Sequence, residues 1–220
     1  MGGADRTETA AARPSALWRA TVIALRATAV TLVLTGLIYP LAVTGIAQVL
    51  FRGRANGSLV TDARGAVVGS ELLAQAFAGP AYVQPRPSAA GDKGYDATSS
   101  GGSNLGPTSK KLRGRVAAEV TRLQTENPQA PGPVPVELVT TSGSGLDPHL
   151  SPAAVLWQVP RIARARDVDV ARVTAVVGEY VEGRDLGFLG EPRVNVLLLN
   201  LALDRQFGQP LAYGPGRPSR

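Results

Sequence analysis

Residues 27–51 read ATAVTLVLTGLIYPLAVTGIAQVLF, with no Asp, Glu, Lys, Arg or His among them, and Arg26 and Arg52 close the run on either side. At 1.5 Å of rise per residue a helix of this length covers about 37 Å, against a hydrocarbon core of about 30 Å, so it spans a bilayer with some tilt. A secretory leader carries a shorter apolar region, about 7–15 residues, and a soluble core helix is seldom apolar all round. The stretch is a membrane anchor. Pro40 removes one intrahelical hydrogen bond, and Gly36 and Gly45 are costs to helix formation that a mere tether would not need. Small residues of this kind let a second helix approach closely, which marks Gly36 and Gly45 as helix-packing positions.

The anchor sorts the rest of the composition. A chain of 220 residues leaves room for one further domain. The net charge of +6 could suggest nucleic acid, but four of the 23 basic residues (Arg6, Arg13, Arg19 and Arg26) precede the anchor and the others are scattered. No basic run is interleaved with aromatics, which make up 5% of the chain, so nucleic-acid binding is set aside. Cysteine is absent, which removes disulfides, thiolate catalysis and Cys-ligated metal. The arginines of the leader favour a cytoplasmic amino terminus and hence an extracytoplasmic domain.

The expected order is a disordered cytoplasmic leader over 1–20, a transmembrane helix over 21–51, an extracytoplasmic domain over 52–206 and a disordered tail over 207–220. Within the domain, Leu59–Val60 and Ala66–Val68 between glycine-containing turns predict a small hairpin. A short helix is expected from Ser70, on the spacing of Leu72, Leu73, Ala76 and Phe77. Residues 80–107 lose all apolar period, yet Tyr82, Arg86, Tyr95 and Leu105 are anchors that a linker would lack. Thr108 or Ser109 caps a helix with Leu112, Val116, Val120 and Leu123 on one stripe. Residues 134–141 alternate like a strand, Ser151-Pro152 opens a helix that Pro160 should kink or restart, and a further helix follows Asp169. Residues 194–203 (VNVLLLNLAL) read as a buried strand, with a helix as the alternative. The fold class is therefore α/β: a single N-terminal transmembrane helix and one mixed α/β domain.

Catalytic groups are sparse. His149 is the single histidine. Ser142, Ser144 and Asp147 stand near it, but Gly143-Ser144-Gly145 lacks the G-x-S-x-G spacing of a nucleophile elbow. The GGSNLG run at 101–106 resembles a phosphate loop only in its glycines, and clustered metal ligands are missing. No catalytic or metal residue is assigned.

Several blocks then stand together in order after one span: GSELLAQAF at 69–77, RPSA at 86–89, GGSNLG at 101–106, VTTSGSGLDP at 139–148, WQVPRIARAR at 157–166 and VNVLLLNLALD at 194–204. Jointly they resemble the C subunit of the Kdp-type potassium-transporting ATPases. The resemblance implies a non-catalytic accessory subunit of the bacterial inner membrane. Its partners would be a potassium-binding A subunit, a P-type ATPase B subunit that hydrolyses ATP, and a small F subunit. It further implies two competing roles, a scaffold that covers the potassium entrance and a catalytic chaperone that raises the ATP affinity of the B subunit. The second role attaches nucleotide to Gln158, in conflict with an exterior placement, because ATP is cytoplasmic. The alternative function is a membrane-anchored extracytoplasmic binding module that works without the transporter.

Overall fold

The computed structural model describes residues 15–62 and 65–210. They form two compact units, Met1–Asn56 and Gly57–Arg220. The first unit is one continuous helical run over Ala16–Leu50, the one helix among the described residues long and apolar enough to cross a membrane. Ser15 caps it, its hydroxyl accepting from the Trp18 N–H. Its parts are α1 (Ala16–Val33), a wide π turn over Leu34–Ile38 and α2 (Tyr39–Leu50). The π turn lies just ahead of Pro40, and the Tyr39 N–H reaches back five residues to the Leu34 carbonyl. A proline that would break a helix in water is thereby accommodated by local re-pairing. Thr21 and Thr35 donate their hydroxyls to the Leu17 and Thr31 carbonyls four residues back, so neither leaves a polar group open to lipid. A short turn, α3 (Arg52–Ala55), ends the unit, and the Asn56 side chain donates to the Arg52 carbonyl. The helix begins at Ala16, so residues 16–20 are helical where disorder was expected. The rest of the leader, up to residue 14, and the tail from residue 211 lie outside the described residues.

The second unit opens with the expected hairpin. β1 (Leu59–Thr61) and β2 (Val67–Ser70) are antiparallel, with Leu59 opposite Ser70 and a bulge after Val60. The helix expected from Ser70 does not form. The Ser70 hydroxyl accepts from the Leu72 N–H, the Ala74 N–H is taken by the Leu146 carbonyl, and the Gln75 side chain turns back to the Val68 carbonyl. Partners elsewhere in the chain outbid the helical ones.

α4 (Lys110–Glu126) is capped by Ser109, whose hydroxyl accepts from the Leu112 N–H, and it ends at Asn127. The strand expected over 134–141 is instead a 3-10 turn, Val136–Leu138. Its alternation misleads because Val136 is 72% exposed while Leu138 and Val139 are both buried. Glu137 explains the turn, since its carboxylate accepts from the Ser151 N–H and hydroxyl at the start of the next helix.

β3 (His149–Leu150) leads into α5 (Pro152–Arg166), with Ser151 as its cap. Pro160 neither restarts nor ends α5. Loss of one backbone hydrogen bond there costs about 3 kcal/mol, but Val159, Ile162 and Ala163 around it are buried and hold the helix in register. Asp167 stops α5 in a left-handed conformation. α6 (Val170–Glu179), capped by Asp169, and β4 (Val181–Glu182) follow.

The buried strand expected over 194–203 is mostly helix. β5 (Arg193–Asn195) is its only extended part, and α7 (Val196–Phe207) takes the rest. The switch is made by Asn195, whose side chain accepts from the Leu198 N–H and so caps the helix. β5 is the centre of a three-stranded antiparallel sheet in the order β3-β5-β4. Helices α5 and α7 pack on β5 and α6 packs on both of these helices, and Val155, Ile162, Val173, Val176, Leu199 and Leu203 form the dry centre. The architecture is mixed α/β with, among the described residues, one helix long and apolar enough to span a membrane.

Candidate functional site

Polar side chains set in apolar helices are the distinctive feature of the second unit, and they converge on one segment of chain. From α7, Asn200 accepts from the Val83 N–H at 2.8 Å and donates to the Val83 carbonyl at 2.9 Å. From α5, Gln158 does the same for Gln84, at 2.9 Å and 3.1 Å. Two amide side chains thus replace a neighbouring strand. Arg161, also on α5, donates to the Gly79 and Tyr82 carbonyls and to Gln158 Oε1, at 3.1, 3.0 and 2.7 Å. Burial pushes its guanidinium down to about 10, which still leaves it charged at neutral pH. Arg166 donates to the Ala81 carbonyl and pairs at 2.7 Å with Asp204, a buried ion pair that also accepts the Tyr82 hydroxyl. Burial, with the Asp204 charge beside it, pushes Tyr82 up to about 12.

The loop that follows is equally fixed. Arg86 donates to the Thr140 and Thr141 carbonyls and pairs with Asp147 at 3.3 Å. The Ser88 hydroxyl donates to the Gly145 carbonyl and accepts from the Ala90 and Tyr95 N–H groups, while the Tyr95 hydroxyl donates to the Arg86 carbonyl. The Gly101 N–H donates to the Ser144 carbonyl. Residues 86–106 and 139–147 therefore form one platform. Its serines are structural: Ser144 accepts from the Leu146 N–H, and Asp147 is engaged by Arg86 and by the His149 N–H.

Hydrogen bonding from His149 is the largest influence holding the Asp147 carboxyl below its usual range, with the Arg86 charge adding to it against partial burial. A depressed folded value stabilises the fold above the unfolded value of about 3.9, and that contribution is lost as the pH falls through the folded value. Amide protection of Leu146 and His149, measured by hydrogen exchange, is expected to fall below about pH 4 and to lose that acid dependence in Asp147→Asn.

Between α4 and residues 76–87 lies a cleft of about 460 Å³, lined by Phe77, Pro85, Tyr95, Arg115, Glu119 and Arg122 among others. Arg122 is held by Glu119 and Glu126 and donates to Gln84 Oε1, so the charges on this wall are largely matched.

Of the residues singled out from the sequence, Gln158 is fully buried with both amide atoms engaged. Gly36 lies in the π turn of the first unit and Gly45 in α2, and neither joins the network. Arg161, Arg166, Asn195, Asn200 and Asp204 were not singled out. The available signal was the placement of amide and charged residues inside otherwise apolar helical runs.

The family model described as KdpC: K+-transporting ATPase, c chain, matches residues 21–205. A potassium-transporting ATPase KdpC subunit of Myxococcus xanthus is 65% identical over 193 residues, covering 88% of this chain and 91% of that protein. Subunits of the same name from Rhodospirillum rubrum and Koribacter versatilis are 58% and 54% identical, over 82% and 80% of this chain and 91% and 90% of theirs. The matched region contains most of the candidate span and every residue of the polar network, and the chain belongs to the KdpC family of K+-transporting ATPase subunits.

Proposed function

We propose that the chain is a non-catalytic, single-span scaffold of a potassium-import ATPase of the bacterial inner membrane, with its amino terminus in the cytoplasm and its α/β domain outside. It assembles with the potassium-binding A subunit, the ATP-hydrolysing B subunit and the small F subunit. The observation that carries this reading is the family match over both the span and the domain, joined to a domain whose buried polar groups hold its own backbone. Gln158 acts as a structural clamp. An influence on the ATP affinity of the B subunit then travels through assembly, because the Gln158 amide is engaged within the chain.

The test is recovery of the complex on tagged chain from native membranes in mild detergent. Three large and small partners with potassium-stimulated ATPase activity support the reading, and a stable monomer overturns it in favour of an independent binding module. A reporter that fluoresces only in the cytoplasm, fused after Asp204, is expected to stay dark.

Gly36 and Gly45 each face a neighbouring helix in this reading. A Cβ at Gly36 would stand 3.7 Å from Leu32 Cδ1, and one at Gly45 would meet nothing within 4 Å. A Cβ is therefore accommodated at both positions in the isolated helix, and effects of substitution on assembly report on neighbours. Positions nine apart lie on opposite sides of a regular helix at about 100° per residue, so each is tested alone. Gly36→Leu or Gly45→Leu is expected to keep the chain in the membrane and to lower recovery of the complex several-fold, as measured by quantitative gel analysis.

A further inference from the structure

The turn joining β4 to β5 carries two strongly exposed large apolar side chains two positions apart: Leu186 is 84% exposed and Phe188 68%. It is built to keep them there. Asp185 and Leu189 exchange both backbone hydrogen bonds at 2.9 Å, closing a three-residue loop. Leu186 sits in the left-handed region at φ 53°, a conformation that a branched side chain adopts only at a cost. Three ion pairs brace the stem: Arg184 with Glu191 at 2.7 Å, and Arg193 with Glu182 at 2.9 Å and with Asp185 at 3.4 Å. A floppy loop would bury such residues by collapse, whereas this one is stiffened in the opposite sense. Stiffness lowers the ordering cost of docking.

Charge and area decide the occupant. The two stem arginines are both matched by the three stem carboxylates, leaving an excess of one negative charge and no free cation for an anionic headgroup. A membrane-surface anchor shows the reverse pattern, with Lys and Arg beside its apolar residues. A second copy is also a poor fit. Phe188 buries roughly 150–250 Å² at most and the two leucines no more, which falls short of the roughly 800 Å² per partner of a self-standing interface. A small rigid knob is suited to a pocket on a partner that is already held close by other contacts, where a high effective concentration makes a small contact sufficient.

We propose that Leu186, Phe188 and Leu189 form a docking knob that inserts into an apolar, neutral or weakly basic pocket on the extracytoplasmic face of another subunit of the same transporter. This rests on the scaffold reading, which supplies the other contacts.

The test places photoreactive benzoylphenylalanine at position 186 or 188 of the tagged full-length chain and purifies the assembled complex after irradiation. A covalent product with another subunit is the expected result. A product with lipid or with a second copy, or no product at either position, overturns the proposal. In parallel, Leu186→Ser/Phe188→Ser is expected to leave the unfolding midpoint of the chain unchanged and to lower recovery of the complex about tenfold, and unchanged recovery overturns the knob. Failure of the unsubstituted chain to bring down any partner would instead overturn the scaffold reading itself.

Discussion

Asp204→Ala is expected to cost about 3–5 kcal/mol of folding stability, the range for removing one member of a buried ion pair. Asp204 and its partner Arg166 have side chains only 7% and 2% exposed. After the substitution the guanidinium would keep its bonds to the Ala81, Leu203 and Gly208 carbonyls and its place over the Tyr82 ring, at 5.1 Å. All of those are neutral, so a buried cation would be left without a counter-charge. Tyr82→Phe removes only the hydroxyl that donates to Asp204, and about 1 kcal/mol is expected there. Denaturant titration of the full chain in detergent, followed through the buried Trp157, separates the two. A loss below about 1 kcal/mol in Asp204→Ala would mean that the carboxylate is dispensable.

Gly145→Val is expected to be nearly as damaging, at about 2–4 kcal/mol, by a different route. Gly145 has φ +69°, and a Cβ there would stand 2.6 Å from the Gly101 carbonyl oxygen and 2.8 Å from the Ala90 nitrogen. Both obstacles are backbone, so no rotamer change relieves them. The platform must part. Gly143→Ala two residues earlier is the control, since a Cβ at Gly143 meets nothing within 4 Å. Hydrogen exchange across 86–106 and 139–147 is expected to quicken in the Gly145 variant and to stay unchanged in the control.

The span, the β1–β2 hairpin and the helices capped by Ser109, Ser151 and Asp169 were legible in the sequence because each is decided locally, by an uninterrupted apolar run or a capping residue. Three segments were misread, two of them because the deciding partners are distant and the third because a local cap was overlooked. Residues 70–77, 134–141 and 194–203 have periods that fit more than one element, and in the first two partners distant in sequence make the choice: the Leu146 carbonyl for Ala74, the Ser151 cap for Glu137. Only the third carried its own correction, in the form of Asn195 as a helix cap. The polar network was legible as a resemblance before it was legible as physics. Its members sit in the very blocks quoted for the family, but which backbone atoms they hold depends on residues 79–84, which have no secondary structure to read.

Arg161 has a consequence in a potassium-transport setting. An alkali ion leaving water is received by neutral oxygen atoms, and here three of them, from Gly79, Tyr82 and Gln158, accept from the Arg161 guanidinium instead. The occupant is tethered covalently and cannot exchange. The domain thus carries its own resident cation, and these three oxygens are already taken.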